Sequence, residues 1–133
     1  MGKLRLGIVA ALLIMLLTAC GRESGESVAL TFDGNDLFQF IPATVSVPAG
    51  AEVTVTFNNV GVLEHNWVLI PNDVDPLRAT NQDSLPGAVS GSVAAGSSVT
   101  FTFTAPAPGA YRFVCTIPGH AAGGMVGTLT IGE

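Results

Sequence analysis

From residue 44 onward the chain repeatedly alternates apolar and polar side chains with a period of two. Val45 and Val47 alternate with Thr44 and Ser46, and Val53, Val55 and Phe57 with Glu52, Thr54 and Thr56. Val99, Phe101 and Phe103 alternate with Thr100, Thr102 and Thr104, and Tyr111, Phe113 and Cys115 with Arg112 and Val114. Successive side chains of a strand point to opposite faces, so this is how half-buried strands are written. His65 to Ile70 is more continuously apolar, as expected of a strand near the centre of a sheet, and Thr128 to Ile131 supplies a last strand. Pro48-Ala49-Gly50, Asn58-Asn59 and Pro106-Ala107-Pro108-Gly109 read as turns. Pro71 to Gly91, rich in Asn, Asp, Pro, Ser and Gly, is the longest connection and has room for a short helical turn. With 133 residues and no internal repeat, the expectation is one all-β domain, a β-sandwich. An inert immunoglobulin-like module fits equally well at this level.

The first residues stand apart from that pattern. Lys3 and Arg5 precede an apolar, uncharged run from Leu6 to Leu17, and Leu17-Thr18-Ala19-Cys20 closes it. The run is shorter than the ~20 residues a bilayer requires, so it reads as a secretory signal. Its ending resembles the lipobox of bacterial lipoproteins, which implies cleavage before Cys20 and a lipid on its sulfur. An ordinary signal with Cys20 incidental, or an uncleaved anchor, are the alternatives. The expected division is a signal over 1–19, a lipid-anchored polar tether over 20–27 and a domain over 28–133. The domain is expected outside the cytoplasm, on the outer face of the cytoplasmic membrane or the periplasmic side of a bacterial membrane. From Cys20 onward, Arg22, Arg78 and Arg112 face all ten acidic residues, a formal charge of −7. Such a balance argues against nucleic acid and against electrostatic attraction to anionic lipid.

If Cys20 carries lipid, Cys115 is the one remaining thiol, and a lone thiol in an oxidising compartment needs burial or a bound partner. The segment after the signal holds two histidines, His65 and His120, one methionine, Met125, and Cys115. Two imidazoles, a thiolate and a weak axial thioether are the complete ligand set of a blue copper site. Three of the four lie in Cys115-Thr-Ile-Pro-Gly-His120-Ala-Ala-Gly-Gly-Met125, and His65 lies well upstream at the head of the apolar run. Thiolate suits Cu(I), imidazole serves both oxidation states, and a distant thioether adjusts the potential. The strand ending at Cys115 puts the sulfur at the rim of the core, where Pro118 stiffens the following loop and Gly119, Gly123 and Gly124 let it fold tightly.

Cys-x4-His-x4-Met after Tyr-x-Phe-x-Cys, with His-Asn-Trp upstream, resembles the cupredoxins, the type 1 blue copper proteins. Within them, the segment from Tyr111 to His120 is similar to the auracyanin and azurin type, and the interval from His120 to Met125 favours auracyanin. The resemblance implies a cupredoxin-like Greek-key β-sandwich with one type 1 copper ion. It implies His65, Cys115 and His120 as strong ligands and Met125 as the axial one. It further implies that Asn66 ties its strand to the cysteine loop through Thr116. Azurin has glycine before its first histidine; here that place is Glu64, so a second axial oxygen is not carried over. The implied function is electron carriage, with the imidazole edge of His120 as the port among Pro118, Gly119, Ala121 and Ala122. Transient contacts with a membrane-bound quinol-oxidising complex and with a cytochrome c-type or reaction-centre acceptor follow, as does a monomeric state.

Taken singly, each of these residues has a plainer reading: His65 as a satisfied core histidine, His120 as a loop residue, Met125 as core filling, Cys115 as a small hydrophobe. Their joint spacing, with none left over, favours the metal. Copper storage or delivery is the alternative function, although no spare Met or His is present to hand an ion on. An enzymatic copper protein needs His-x-His clusters that are absent. Asn72, Asp73 and Asp75 lack the spacing of a calcium loop. Ser84 and Ser90 have no free histidine as base, and Trp67 reads as core packing.

Overall fold

A computed structural model describes residues 25–133; the expected signal over 1–19, the expected lipidation site Cys20 and the start of the tether lie outside the described residues. Eight strands follow in order: β1 Ser27–Asn35, β2 Gln39–Ile41, β3 Thr44–Pro48, β4 Glu52–Asn59, β5 Val68–Ile70, β6 Ser98–Thr104, β7 Gly109–Val114 and β8 Val126–Gly132. They form two four-stranded sheets, ordered β2-β1-β4-β6 and β3-β8-β7-β5. The pairings β1 with β4 and β3 with β8 are parallel and the rest antiparallel. The chain therefore crosses between sheets repeatedly, as a Greek-key sandwich does. Among the described residues, the only helical element is a single 3-10 turn at Asn81–Asp83, inside the connection where a short helix is expected. No described helix is long and apolar enough to cross a membrane.

Strand β1 has no counterpart in the expectations drawn from sequence. Val28, Leu30 and Phe32 alternate as in the other strands, and Ser27, expected in the tether, already pairs with Glu52. The strand runs parallel to β4 over eight residue pairs, from Ser27↔Glu52 to Gly34↔Asn59.

The apolar residues of the alternating strands meet between the sheets. Phe32, Val53, Val55, Phe57, Trp67, Phe113, Cys115 and Met125 are fully buried in one cluster. Trp67 stacks on Phe113 with ring centroids 5.2 Å apart and planes 20° from parallel, and touches Phe32 and Phe101 at 5.5 Å. Burying each such ring removes some 150–250 Å² from water, so these aromatics dominate the core.

The run His65–Ile70 behaves differently from the expectation. Only Val68–Ile70 is strand, and it lies at the edge of its sheet, not near the centre. It is still completely buried because the 71–91 connection folds back over it. Leu69 N–H donates to Ala88 O at 3.0 Å, Leu85 N–H donates to Leu69 O at 2.8 Å, and Val68 bridges to Val89. A covering loop buries both faces of an edge strand as well as a neighbouring layer does.

Asn58-Asn59, expected as a turn, ends β4 instead. Asn59 is 1% exposed, and its amide donates to Leu63 O at 2.7 Å and Val93 O at 2.8 Å while accepting from Gly61 N–H at 3.0 Å. A buried amide satisfied in this way fixes the 60–64 loop, which delivers His65.

Candidate metal centre

The end of the sandwich where β1 and β4 finish and β7 turns towards β8 gathers the candidate ligands. His65 is tied in an isolated bridge to Val93, with N–H and C=O both used at 3.2 and 2.8 Å. It thus stands three residues before β5 rather than at the head of a strand. Cys115 follows the last residue of β7 and its N–H donates to Met125 O at 3.1 Å. Between them the loop is closed by His120 N–H to Ile117 O and Met125 N–H to His120 O, both at 3.0 Å. Gly119 and Gly124 have φ of 86° and 112°, conformations that side chains strongly disfavour. The loop can therefore bring both ends of Cys115–Met125 together.

Donor atoms of His65, Cys115 and His120 all lie within 4.8 Å of one another. The two Nδ1 atoms are 3.1 Å apart, and Cys115 Sγ is 3.4 Å from His120 Nδ1. With metal–nitrogen bonds near ~2.0 Å and a metal–sulfur bond near ~2.3 Å, a trigonal site spaces nitrogens by about 3.5 Å and sulfur from nitrogen by about 3.7 Å. The observed spacings fall a few tenths of an ångström inside those values, so the donor set fits one small ion. His65, Cys115 and Met125 are 0% exposed and His120 8%.

The surroundings hold this set in place. Asn66 N–H points at Cys115 Sγ, 3.5 Å away. Its side chain clamps the loop from both sides: Nδ2 donates to Thr116 Oγ1 at 2.7 Å, and Thr116 N–H donates to Asn66 Oδ1 at 2.8 Å. Asn81, in the 3-10 turn, accepts from Asn66 Nδ2 at 3.0 Å and from Thr116 Oγ1 at 2.7 Å. The 71–91 connection is thereby joined to the cysteine loop. Burial pushes the Cys115 thiol up, against the pull of the Asn66 and Ile117 N–H groups. Burial also lowers the His120 imidazole, with His65 adding to the effect and Asp36 opposing it.

Three contributors escaped the sequence reading. Asp36 accepts from His65 Nε2 at 3.0 Å, and its carboxyl is held below the usual range, first by the Val62 N–H and then by His65. Asn81 has no signal in sequence beyond a polar loop. Phe38 lies against His120 with ring centroids 4.7 Å apart and has φ of 57°, which is strained for a bulky residue and persists only where packing enforces it. A Cβ on Gly123 would run into the Phe38 ring, so that close approach requires glycine. Of the expected port, Pro118, Gly119 and Ala122 are exposed; Ala121 is half-buried and packs beside Val68, Ile70 and Val114.

A Greek-key sandwich with a buried His-Cys-His cluster at one end defines the class of type 1 copper proteins, the cupredoxins. Residues 26–132 match the model of the copper binding proteins of the plastocyanin/azurin family, and the chain belongs to that family. It is 39% identical over 114 residues to Auracyanin-B of Chloroflexus aurantiacus, covering 72% of this chain and 48% of that protein. It is 36% identical over 104 residues to the copper-resistant cuproprotein CopI of Rubrivivax gelatinosus, covering 73% of this chain and 62% of that protein. The chain thus spans about half to two thirds of these relatives' lengths. Among solved structures, dithionite-reduced auracyanin from Roseiflexus castenholzii superposes with a TM-score of 0.70 at 31% identity, covering 82% of this chain and all of that one.

Proposed function

We propose that the protein carries single electrons between membrane-associated redox partners outside the cytoplasm, with His65, Cys115 and His120 as strong ligands to one copper ion and Met125 as the weak axial ligand. The observation that carries this reading is a buried three-donor cluster in which one imidazole alone reaches the surface. Copper, when bound, supplies the one-electron couple; the protein supplies a fixed set of donors. Asn66 and Thr116 brace the cysteine loop and Asp36 braces His65, so little needs to move when the charge changes, and little movement means a low barrier. Nothing in the described site offers a second metal centre for substrate chemistry, and a carrier rather than an enzyme is the reading the family supports.

His120 is the port. Around it lie Pro118, Gly119 and Ala122, and the neighbouring loops contribute Leu37 at 75% and Val62 at 82% exposure. A small apolar rim permits close approach with a weak contact, which suits rapid turnover. The proposed donor is a quinol-oxidising complex and the acceptor a c-type cytochrome or reaction centre. Export with a lipid on Cys20 would hold a monomeric carrier near both. The copper-loaded, oxidised protein should be intensely blue, with the narrow parallel hyperfine splitting of type 1 copper in EPR, and should bleach reversibly on reduction. A colourless Cu(II) complex would refute the proposal.

Copper storage or delivery is the second reading, prompted by the name of the CopI relative. Complete burial of His65, Cys115 and Met125 works against it, because a delivery site must expose its ligands to the recipient. Rapid loss of copper to a mild chelator would favour it.

A further inference from the structure

Asp36 lies one residue past the end of β1, across the imidazole of His65 from the donor cluster. We infer that Asp36 is a positioning residue of the copper centre: its carboxylate holds the His65 ring with Nδ1 free for the metal and favours the oxidised ion over the reduced one. This rests on His65 being a copper ligand.

The carboxylate is itself held in a built seat. Asp36 Oδ2 accepts from Val62 N–H at 2.8 Å, and Oδ1 accepts from Leu63 N–H at 3.2 Å and faces His65 Nε2 at 3.0 Å. A Cβ on Gly61 would collide with the carboxylate, so the 60–64 loop closes on it with no room to spare. Asn59 secures the same loop from below through Leu63 O and Gly61 N–H. An ionised carboxylate can only accept hydrogen bonds, so Nε2 must carry the imidazole proton, which leaves the Nδ1 lone pair free. That Nδ1 is the atom facing His120 Nδ1. A negative charge on the far nitrogen makes the imidazole a stronger donor, and a doubly charged ion gains more from this than a singly charged one. Glu64, although next in sequence to His65, accepts instead from the Ser92 hydroxyl. It supplies a nearby charge without the directed bond.

The test compares copper-loaded wild type, Asp36→Asn and Glu64→Gln by midpoint potential and by Cu(II) and Cu(I) affinities in chelator competition. Asp36→Asn should weaken Cu(II) binding by about 10- to 100-fold and Cu(I) binding by less. Each tenfold difference between the two losses raises the potential by about 59 mV. Glu64→Gln should stay close to wild type. Should Asp36→Asn fail to fold, NMR of the reduced wild-type copper protein still decides, since it should show a proton on His65 Nε2 protected from exchange. A blue wild type with Asp36→Asn no higher in potential than Glu64→Gln, or with an unprotonated Nε2, overturns the role of Asp36 alone. A wild type that binds copper without turning blue overturns the copper reading, and this inference with it.

Discussion

The thiol of Cys115 sits where charge is expensive, fully buried and raised above its ordinary value of 9.0 by that burial. At pH 7 the metal-free protein therefore holds it as a neutral thiol. The His120 ring, lowered from 6.5 by burial, is neutral at the same pH. Copper requires thiolate and neutral imidazole, so binding at pH 7 should release the proton of the Cys115 thiol. Affinity should then rise about tenfold per pH unit from pH 7 up to the thiol's own value and weaken towards acid. Titrating Cu(I) into the protein in two buffers of different ionisation heat measures that proton directly; a value near zero would mean the thiolate already exists without metal. At this scale much of the centre was legible. Residue type and spacing singled out His65, Cys115 and His120, whose donor atoms do meet. Met125, singled out in the same way, is fully buried in the core cluster, and the Asn66–Thr116 link came from family resemblance. Asp36 and Phe38 could not be read, because their contacts depend on where the end of β1 falls relative to loops 25 or more residues away.

Strand β7 with the loop to β8 joins core to centre: Phe113 anchors the hydrophobic stack two residues before Cys115 enters the site. Phe113→Ala should cost about 3–5 kcal/mol in chemical denaturation. Trp67→Phe should cost clearly less, although the indole is the larger side chain. Trp67 Nε1 is buried without a hydrogen-bond partner among the described residues, and removing such an orphan offsets part of the lost packing. Equal losses for the two variants would contradict this. Gly127 of β8 backs directly on the Phe113 ring, where a Cβ would overlap it. Period-two alternation located β3, β4, β6, β7 and β8 because each buries one face. It misjudged His65–Ile70, since a covered edge strand and a central strand are equally apolar. It also missed the role of Asn59, since a buried amide bridging two loops looks in sequence like an ordinary turn residue.

The two sheets give the molecule unlike ends. Strand β1 starts at Ser27 beside Glu52 and finishes next to Asp36, and β8 starts after Met125 and finishes at Gly132, whose carbonyl accepts from Ala49 N–H at 2.8 Å. Strand β1 has nine residues and β8 seven, which at about 3.3 Å per residue cover about 30 and about 23 Å, so Ser27 and Gly132 both lie far from His120, at the opposite end. Linking the protein to an electrode-supported film through either of these positions should leave electron exchange with a dissolved partner as fast as in free solution. Linking it through Val62→Cys should slow that exchange strongly, and equal rates from all three attachments would contradict the placement of the port. For the port proposed at His120, a mooring at either of those two residues leaves the imidazole edge facing the water, and its reach towards a partner is then set by the length of the leash and not by the orientation of the cargo.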